Sequence, residues 1–359
     1  MASSSCPFPS FALGFLAASG LFLLSRRLEG RRKSATSEST SSDTPQELLL
    51  SDYSKELETA VCVAKRAGAN IRSALCATSK EVSNKGTTGI DFVTETDRKN
   101  EVLIFDELKR VFPAYQFIGE ETSADAGGIP ALTDEPTWIV DPIDGTTNFL
   151  HTFPFTCVSI ALAVNQIPVL AVVYNPSADE LYLAVRGMGA YLNKKRITVS
   201  SADRISKALV LTETGYQRDE KKLDTIYSCL RAVVNRGPHS VRIMGSCVLD
   251  LCFVACGRLD TMYLGVAGEG GKIWDYAAGA LLVLEAGGFV SDCFGKVGAD
   301  RILHSESILA SATADLHQEM AATLLKTVIA QESTEDGGGV AGAMSPLGKT
   351  LSQMFAAYT

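Results

Sequence analysis

An excess of basic residues, paired cysteines and internal repeats are all missing from this 359-residue chain. With 33 Lys and Arg against 41 Asp and Glu, the formal net charge is −8. That balance argues against general nucleic-acid binding, which needs basic clusters to neutralise phosphates. The nine cysteines are odd in number and scattered, with no CxxC pair and no His at zinc-finger spacing, so neither a disulfide framework nor a zinc finger is indicated. Most lie in apolar runs such as VLDLCFVAC, where a thiol behaves as a small hydrophobe, and a reducing compartment follows. A small anionic substrate at so acidic a surface needs local positive charge, and bound cations are the obvious source.

What is present is the composition of a globular protein, 46% hydrophobic and 21% charged. Residues 1–45 stand apart. Pro7 to Leu24 is uncharged and apolar, and Arg26, Arg27, Arg31, Arg32 and Lys33 follow it. The basic flank after the apolar run predicts a signal anchor that leaves the folded part in the cytosol. The Ser-rich MASSS opening and the absence of acids before Glu29 support a rival, an organelle (plastid or mitochondrial) transit peptide. A Ser/Thr-rich linker follows to about Pro45, and a Gly-rich tail over 331–359 is expected to be unstructured. The folded unit is expected over 46–330.

Within it, Leu57, Val61, Ala64, Gly68, Ile71 and Leu75 form a helical stripe, and a second helix follows Asp97 with Val102, Phe105 and Leu108 inward. Strand-like runs WIVDPI, FTCVSIALAV, PVLAVVY and LYLAV come next, with another strand around 187–193. Helices over 219–235, 246–256 and 274–286 then alternate with the runs VRIM, LDTMYL, FVSD and SILASA, before a closing helix. Antiparallel strands followed by strand and helix alternation predict an α+β fold of layered helices and sheets.

Three segments carry chemistry. The run WIVDPIDGTTN, Trp138 to Asn148, ends an apolar strand in Asp141 and Asp144, then Gly145, Thr146 and Thr147. Carboxylates suit hard divalent cations such as magnesium, and a glycine with hydroxyls opening a helix suits a phosphate. Glu120 and Glu121 follow Gly119 after another short apolar run, and Asp275 sits in the first turn of an apolar helix. Alone, each has a structural reading as well: a type I turn, a solvated helix start and a helix cap. Together Glu120, Asp141, Asp144 and Asp275 put four acids in a pattern that would repel without metal.

The segments GEET, WIVDPIDGTTNFLH and IWDYAAGALLVLEAGG resemble the signature stretches of the inositol monophosphatase family, in the family's order from Leu57 to Ala330. Among its members the plant-type enzymes that also act on L-galactose 1-phosphate look most similar, through DFVTETD, LTDEPTWIVDP and SCVLDLCFVACGRLD. The resemblance implies the layered α-β-α-β-α sandwich of the inositol monophosphatase and fructose-1,6-bisphosphatase type. It also implies lithium-sensitive, magnesium-dependent hydrolysis of a small phosphorylated polyol or sugar, with two to three Mg2+ ions per site. Glu120, Asp141 and the Ile143 carbonyl would hold one ion, and Asp141, Asp144 and Asp275 another. Asp97 and Thr146 would orient the attacking water, although Asp97 also reads as the cap of its helix.

By the same resemblance, the substrate would lie among the metal-site residues Glu120, Ile143, Asp144, Gly145, Thr146 and Asp275, with Gly245, Ser246 and Cys247 facing its hydroxyls. One departure concerns specificity. The family carries a Glu after the Tyr of the strand before WD, whereas here Tyr263 is followed by Leu264 and Gly265, and the nearest acid is Glu269 in the loop VAGEGGK. Other readings are a histidinol-phosphate or 3',5'-bisphosphate nucleotide phosphatase of the same fold, or a membrane-tethered regulatory protein with little turnover. A homodimer is expected by analogy with the family.

Overall fold

The computed structural model describes residues 43–76, 82–84, 92–268 and 270–335. The expected anchor over Pro7–Leu24, the far C-terminal tail and Glu269 lie outside the described residues. Among the described residues no helix is long and apolar enough to cross a membrane.

Helix α1 (Ser54–Leu75) precedes a small antiparallel pair, β1 (Val82–Asn84) and β2 (Phe92–Thr94), and then α2 (Glu95–Val111). Next come β3 (Gln116–Gly119), α3 (Glu120–Ala126), β4 (Thr137–Asp144) and α4 (Thr146–Leu150). An antiparallel run follows: β5 (Cys157–Val164), β6 (Ile167–Asn175), β7 (Glu180–Val185), β8 (Gly189–Leu192) and β9 (Lys195–Ile197). Strands β3 to β9 form one seven-stranded sheet in chain order, with only the β3–β4 pair parallel.

The second half contributes β10 (Leu209–Thr212), α5 (Glu220–Asn235), β11 (Ser240–Arg242), α6 (Cys247–Ala255), β12 (Thr261–Leu264), α7 (Ile273–Glu285), β13 (Phe289–Ser291), β14 (Ile308–Ser311) and α8 (Ala314–Glu335). Its sheet is five-stranded, in the order β11-β10-β12-β14-β13.

Side-chain alternation explains the layering. Large residues on one face of the first sheet, such as Trp138, Ile160, Leu162, Leu170 and Val172, bury against α1 and α2. The opposite face presents Ala161, Ala163, Ala171 and Ala184, and these small residues let α6 and α7 lie close. Helix α7 meets them with its own Ala277, Ala278 and Ala280. The same helices cover the inner face of the second sheet through Leu211, Met262 and Ala310. Its outer face, with Val210, Tyr263 and Leu309, packs under α5 and α8. The result is the expected five-layer α-β-α-β-α sandwich.

Three differences from the sequence expectation have physical causes. Val102 is 59% exposed, because the buried face of α2 is built from Asp97, Asn100, Glu101, Ile104, Phe105 and Leu108, and this face borders the site. The strand β10 comes from a four-residue apolar run that the sequence pattern passes over. The closing helix continues through Glu335, past Ala330, and Gln331 Nε2 donates to Ser228 Oγ at 2.7 Å.

Candidate active site

Asp141 and Asp144 are three residues apart, so on a regular strand their side chains would point to opposite faces. The pairing of β4 with β5 corrects this: Asp141 opposes Ser159 while Asp144 opposes Cys157, a shift that inserts one extra residue on β4. Such a bulge re-aims the side chains that flank it. Pro142, which has no N–H to give to the ladder, falls within it. The Ile143 N–H donates to Asp141 Oδ1 at 3.0 Å.

Asp275 reaches the same place from the first turn of α7, where its Oδ2 accepts the Lys272 N–H. Oxygen atoms of Asp141, Asp144 and Asp275 lie within 4.8 Å of one another. Asp141 is 1% and Asp144 6% exposed. Burial pushes the Asp144 carboxyl up to about 7, with the nearby Glu120 charge adding to the effect. Burial also holds Asp275 well above the usual carboxylate range, aided by the charges of Asp144 and Glu120. Three converging carboxylates that repel one another in a dry setting fit a divalent cation that prefers oxygen ligands. Glu120 itself is half-buried at the start of α3 and stands outside that three-carboxylate cluster, although its charge acts on it.

The second element of the site is Asp97, fully buried at 0% exposure. It is the third residue of α2 and not its N-cap, a place taken by Thr94. Asp97 Oδ2 accepts from the Thr94 N–H at 2.9 Å and from the Thr94 hydroxyl, which leaves Oδ1 facing Thr146 Oγ1 at 3.1 Å. The same hydroxyl lies 3.0 Å from the Ile143 carbonyl oxygen. Gly145 enters α4 with φ +86°, and a Cβ there would stand 3.0 Å from the Phe155 carbonyl oxygen and 3.1 Å from that of Gly245. The neighbouring Thr147 hydroxyl is buried and finds no hydrogen-bond partner among the described residues, as befits a group waiting for a ligand oxygen.

On the opposite wall, Ser246 caps α6 and donates its hydroxyl to Asp144 Oδ2, which also takes the Val248 N–H at 3.0 Å. Of the expected substrate-facing trio, Gly245 is exposed and Cys247 is buried, with its thiol pushed well above its ordinary value by burial and by the charge of Asp275. Leu264 is 5% exposed and belongs to the core.

Three residues that sequence alone does not single out complete the frame. Glu101 accepts the N–H groups of Glu121 and Thr122 at 2.8 Å each, which anchors the start of α3. Asn148 donates to the carbonyls of Phe155 and Met244 at 2.9 and 2.8 Å, and Glu213 accepts from Met244 and Gly245. Glu213 had one available signal, since like Asp141 it ends an apolar strand run.

The model of the inositol monophosphatase family matches residues 52–330. Inositol monophosphatase 2 of Solanum lycopersicum is 53% identical over 240 residues, covering 67% of this chain and 88% of its own. Inositol monophosphatase 2 of Homo sapiens is 43% identical over 248 residues, covering 69% and 84%. Among solved structures, extragenic suppressor protein suhB from Bartonella henselae is similar with a TM-score of 0.67 and 36% identity, covering 75% of this chain and 98% of that one. The chain therefore belongs to the inositol monophosphatase family.

Proposed function

We propose that this protein hydrolyses inositol monophosphate to inositol and phosphate, and that L-galactose 1-phosphate is a second substrate. The observation that carries this reading is the convergence of Asp141, Asp144 and Asp275 beside the Asp97–Thr146 pair. Glu120, Asp141, the Ile143 carbonyl, Asp144 and Asp275 are the groups assigned to hold two to three magnesium ions. When bound, magnesium supplies the positive charge that polarises the phosphoryl group and makes water a competent nucleophile.

The chain's own residues supply the rest. Thr146 and Asp97 orient the attacking water, and Asp97 Oδ1 accepts its proton. The N–H groups of Gly145 to Thr147, with the Thr147 hydroxyl, hold phosphate oxygens. The Gly245–Ser246 wall meets the alcohol. A homodimer is proposed on family kinship alone.

The test is phosphate release from inositol 1-phosphate, L-galactose 1-phosphate, histidinol phosphate and adenosine 3',5'-bisphosphate, with magnesium, with lithium and with chelator. Magnesium-dependent, lithium-sensitive release from the first two is expected. Full activity in excess chelator would overturn the reading.

A further inference from the structure

Beside the Gly245–Ser246 wall lie a half-buried carboxyl, Glu213, and a buried one, Asp250, that the proposed mechanism leaves unused. Glu213 follows β10, and its Oε1 accepts the N–H groups of Met244 and Gly245, each at 2.7 Å. From the other side Asn148 Nδ2 holds the Met244 carbonyl at 2.8 Å. Gly245, at φ +84°, presses so closely that an added Cβ would sit 3.1 Å from the Asn148 amide. Met244 to Ser246 is thus gripped on both its N–H and its carbonyl sides, and the next link runs from Ser246 to Asp144.

Asp250, one turn into α6, is 0% exposed, and no hydrogen-bond donor among the described residues reaches either of its oxygens. Its side-chain partner is the Glu213 carboxyl. Two carboxylates cannot hydrogen-bond to each other without a proton between them. The two backbone N–H groups favour the anion at Glu213, and the donor-free surroundings of Asp250 favour its neutral form. The proton therefore belongs to Asp250. Burial, then the charges of Glu213 and Asp144, push Asp250 well above the carboxylate range, and burial raises Glu213. The remaining titratable groups that face the pair among the described residues are the Cys247 and Cys252 thiols, which burial keeps neutral.

We infer that Glu213 and Asp250 share a single proton and act as a positioning pair, holding the Met244–Ser246 segment against the alcohol part of the substrate. This rests on the proposed function. Loss of the shared proton sets two negative charges side by side, one of them fully buried, and drives Glu213 off the two N–H groups, so substrate affinity falls at alkaline pH while the metal-centred step is untouched.

The experiment measures KM and kcat for inositol 1-phosphate, with saturating magnesium and from mildly acidic to alkaline pH, in full-length wild type, Glu213→Gln and Asp250→Asn. In wild type KM rises at alkaline pH. Asp250→Asn, which keeps a donor toward Glu213 but cannot titrate, flattens that rise. Glu213→Gln raises KM about ten-fold with kcat within about two-fold, the size expected for a charge-assisted backbone anchor. A KM–pH profile of Asp250→Asn identical to wild type, or an unchanged KM in Glu213→Gln, would overturn the inference.

Infrared spectroscopy reads the pair without turnover. A protonated carboxyl band is expected at neutral pH in magnesium-loaded wild type and is lost in Asp250→Asn; its absence from wild type sinks the shared proton whatever the substrate. Failure of wild type to release phosphate from any ester would instead overturn the proposed function and leave the band to decide the pair.

Discussion

The hydroxyl of Ser246, which opens α6, donates to Oδ2 of Asp144 at the end of β4. One carboxylate oxygen thereby joins the helix layer between the two sheets to the centre of the acidic cluster. The same oxygen takes the Val248 N–H, so Asp144 is oriented by two donors from one helix start. Residues that orient a metal ligand commonly matter about 10- to 100-fold for metal affinity or activity.

Ser246→Ala removes one of those two donors. The magnesium concentration for half-maximal activity should rise about ten-fold. Loss of the N-cap should also lower stability by about 1 kcal/mol. A magnesium titration and a thermal melt read the two effects separately. An unchanged magnesium requirement would show that the bond matters to the helix alone.

The raised carboxyls make a prediction about pH. Asp144 titrates near 7 in the folded chain, against an ordinary value of about 4 in the unfolded one. Between those values the metal-free folded chain keeps a proton that the unfolded chain has released, so its stability falls as pH rises through that window. Asp275, raised in the same direction by burial and by the charges of Asp144 and Glu120, adds to the loss. Metal competes with these protons. The gain in Tm on adding magnesium should therefore be larger in mildly alkaline than in mildly acidic buffer. In chelator at alkaline pH, Asp144→Asn should melt above wild type while releasing no phosphate. A magnesium-induced gain that is the same at both pH values would contradict this account.

Asp97 joins a structural and a chemical duty, and one variant separates them. Asp97→Asn keeps an acceptor for Thr146 but weakens the capping interaction with Thr94, a loss of about 1 kcal/mol. As the proposed proton acceptor its replacement should reduce kcat by about 100-fold or more, with KM and the magnesium requirement little changed. A fall in kcat no larger than a modest drop in stability would produce would return Asp97 to the role of helix cap.

The layers and the acidic signatures were legible in the sequence because each depends on neighbours in the chain. Long apolar runs announce buried strands, and an Asp at the end of such a run, as at Asp141, or in the first turn of an apolar helix, as at Asp275, is conspicuous. What escaped depends on residues distant in sequence. Glu101 and Glu213 hold backbone groups 20 to 32 residues away, and only Glu213, at the end of an apolar strand run, carries any mark in its own surroundings. Val102 was placed inward by counting apolar positions alone, whereas the true buried face of α2 carries Asp97, Asn100 and Glu101. The spacing of Asp141 and Asp144 even points the wrong way until the bulge at Pro142 is seen in the pairing with β5.

Gly145 tests how much of the site depends on one backbone conformation. Its φ of +86° belongs to the left-handed region, where a side chain costs about 1–2 kcal/mol. The Cβ of Gly145→Ala would also press on the carbonyls of Phe155 and Gly245, neither of which can swing away like the tip of a side chain. Relief requires the turn after Asp144 to separate from the substrate wall, which pulls Thr146 from Asp97 and loosens the Ser246–Asp144 bond together. The variant should lose about 2 kcal/mol of stability or more. Its kcat should fall by about 100-fold, since small displacements of positioning groups carry penalties of that order. A Gly145→Ala protein within about two-fold of wild-type kcat would mean that turn and wall move independently, and the shared geometry of the two halves of the site would have to be abandoned.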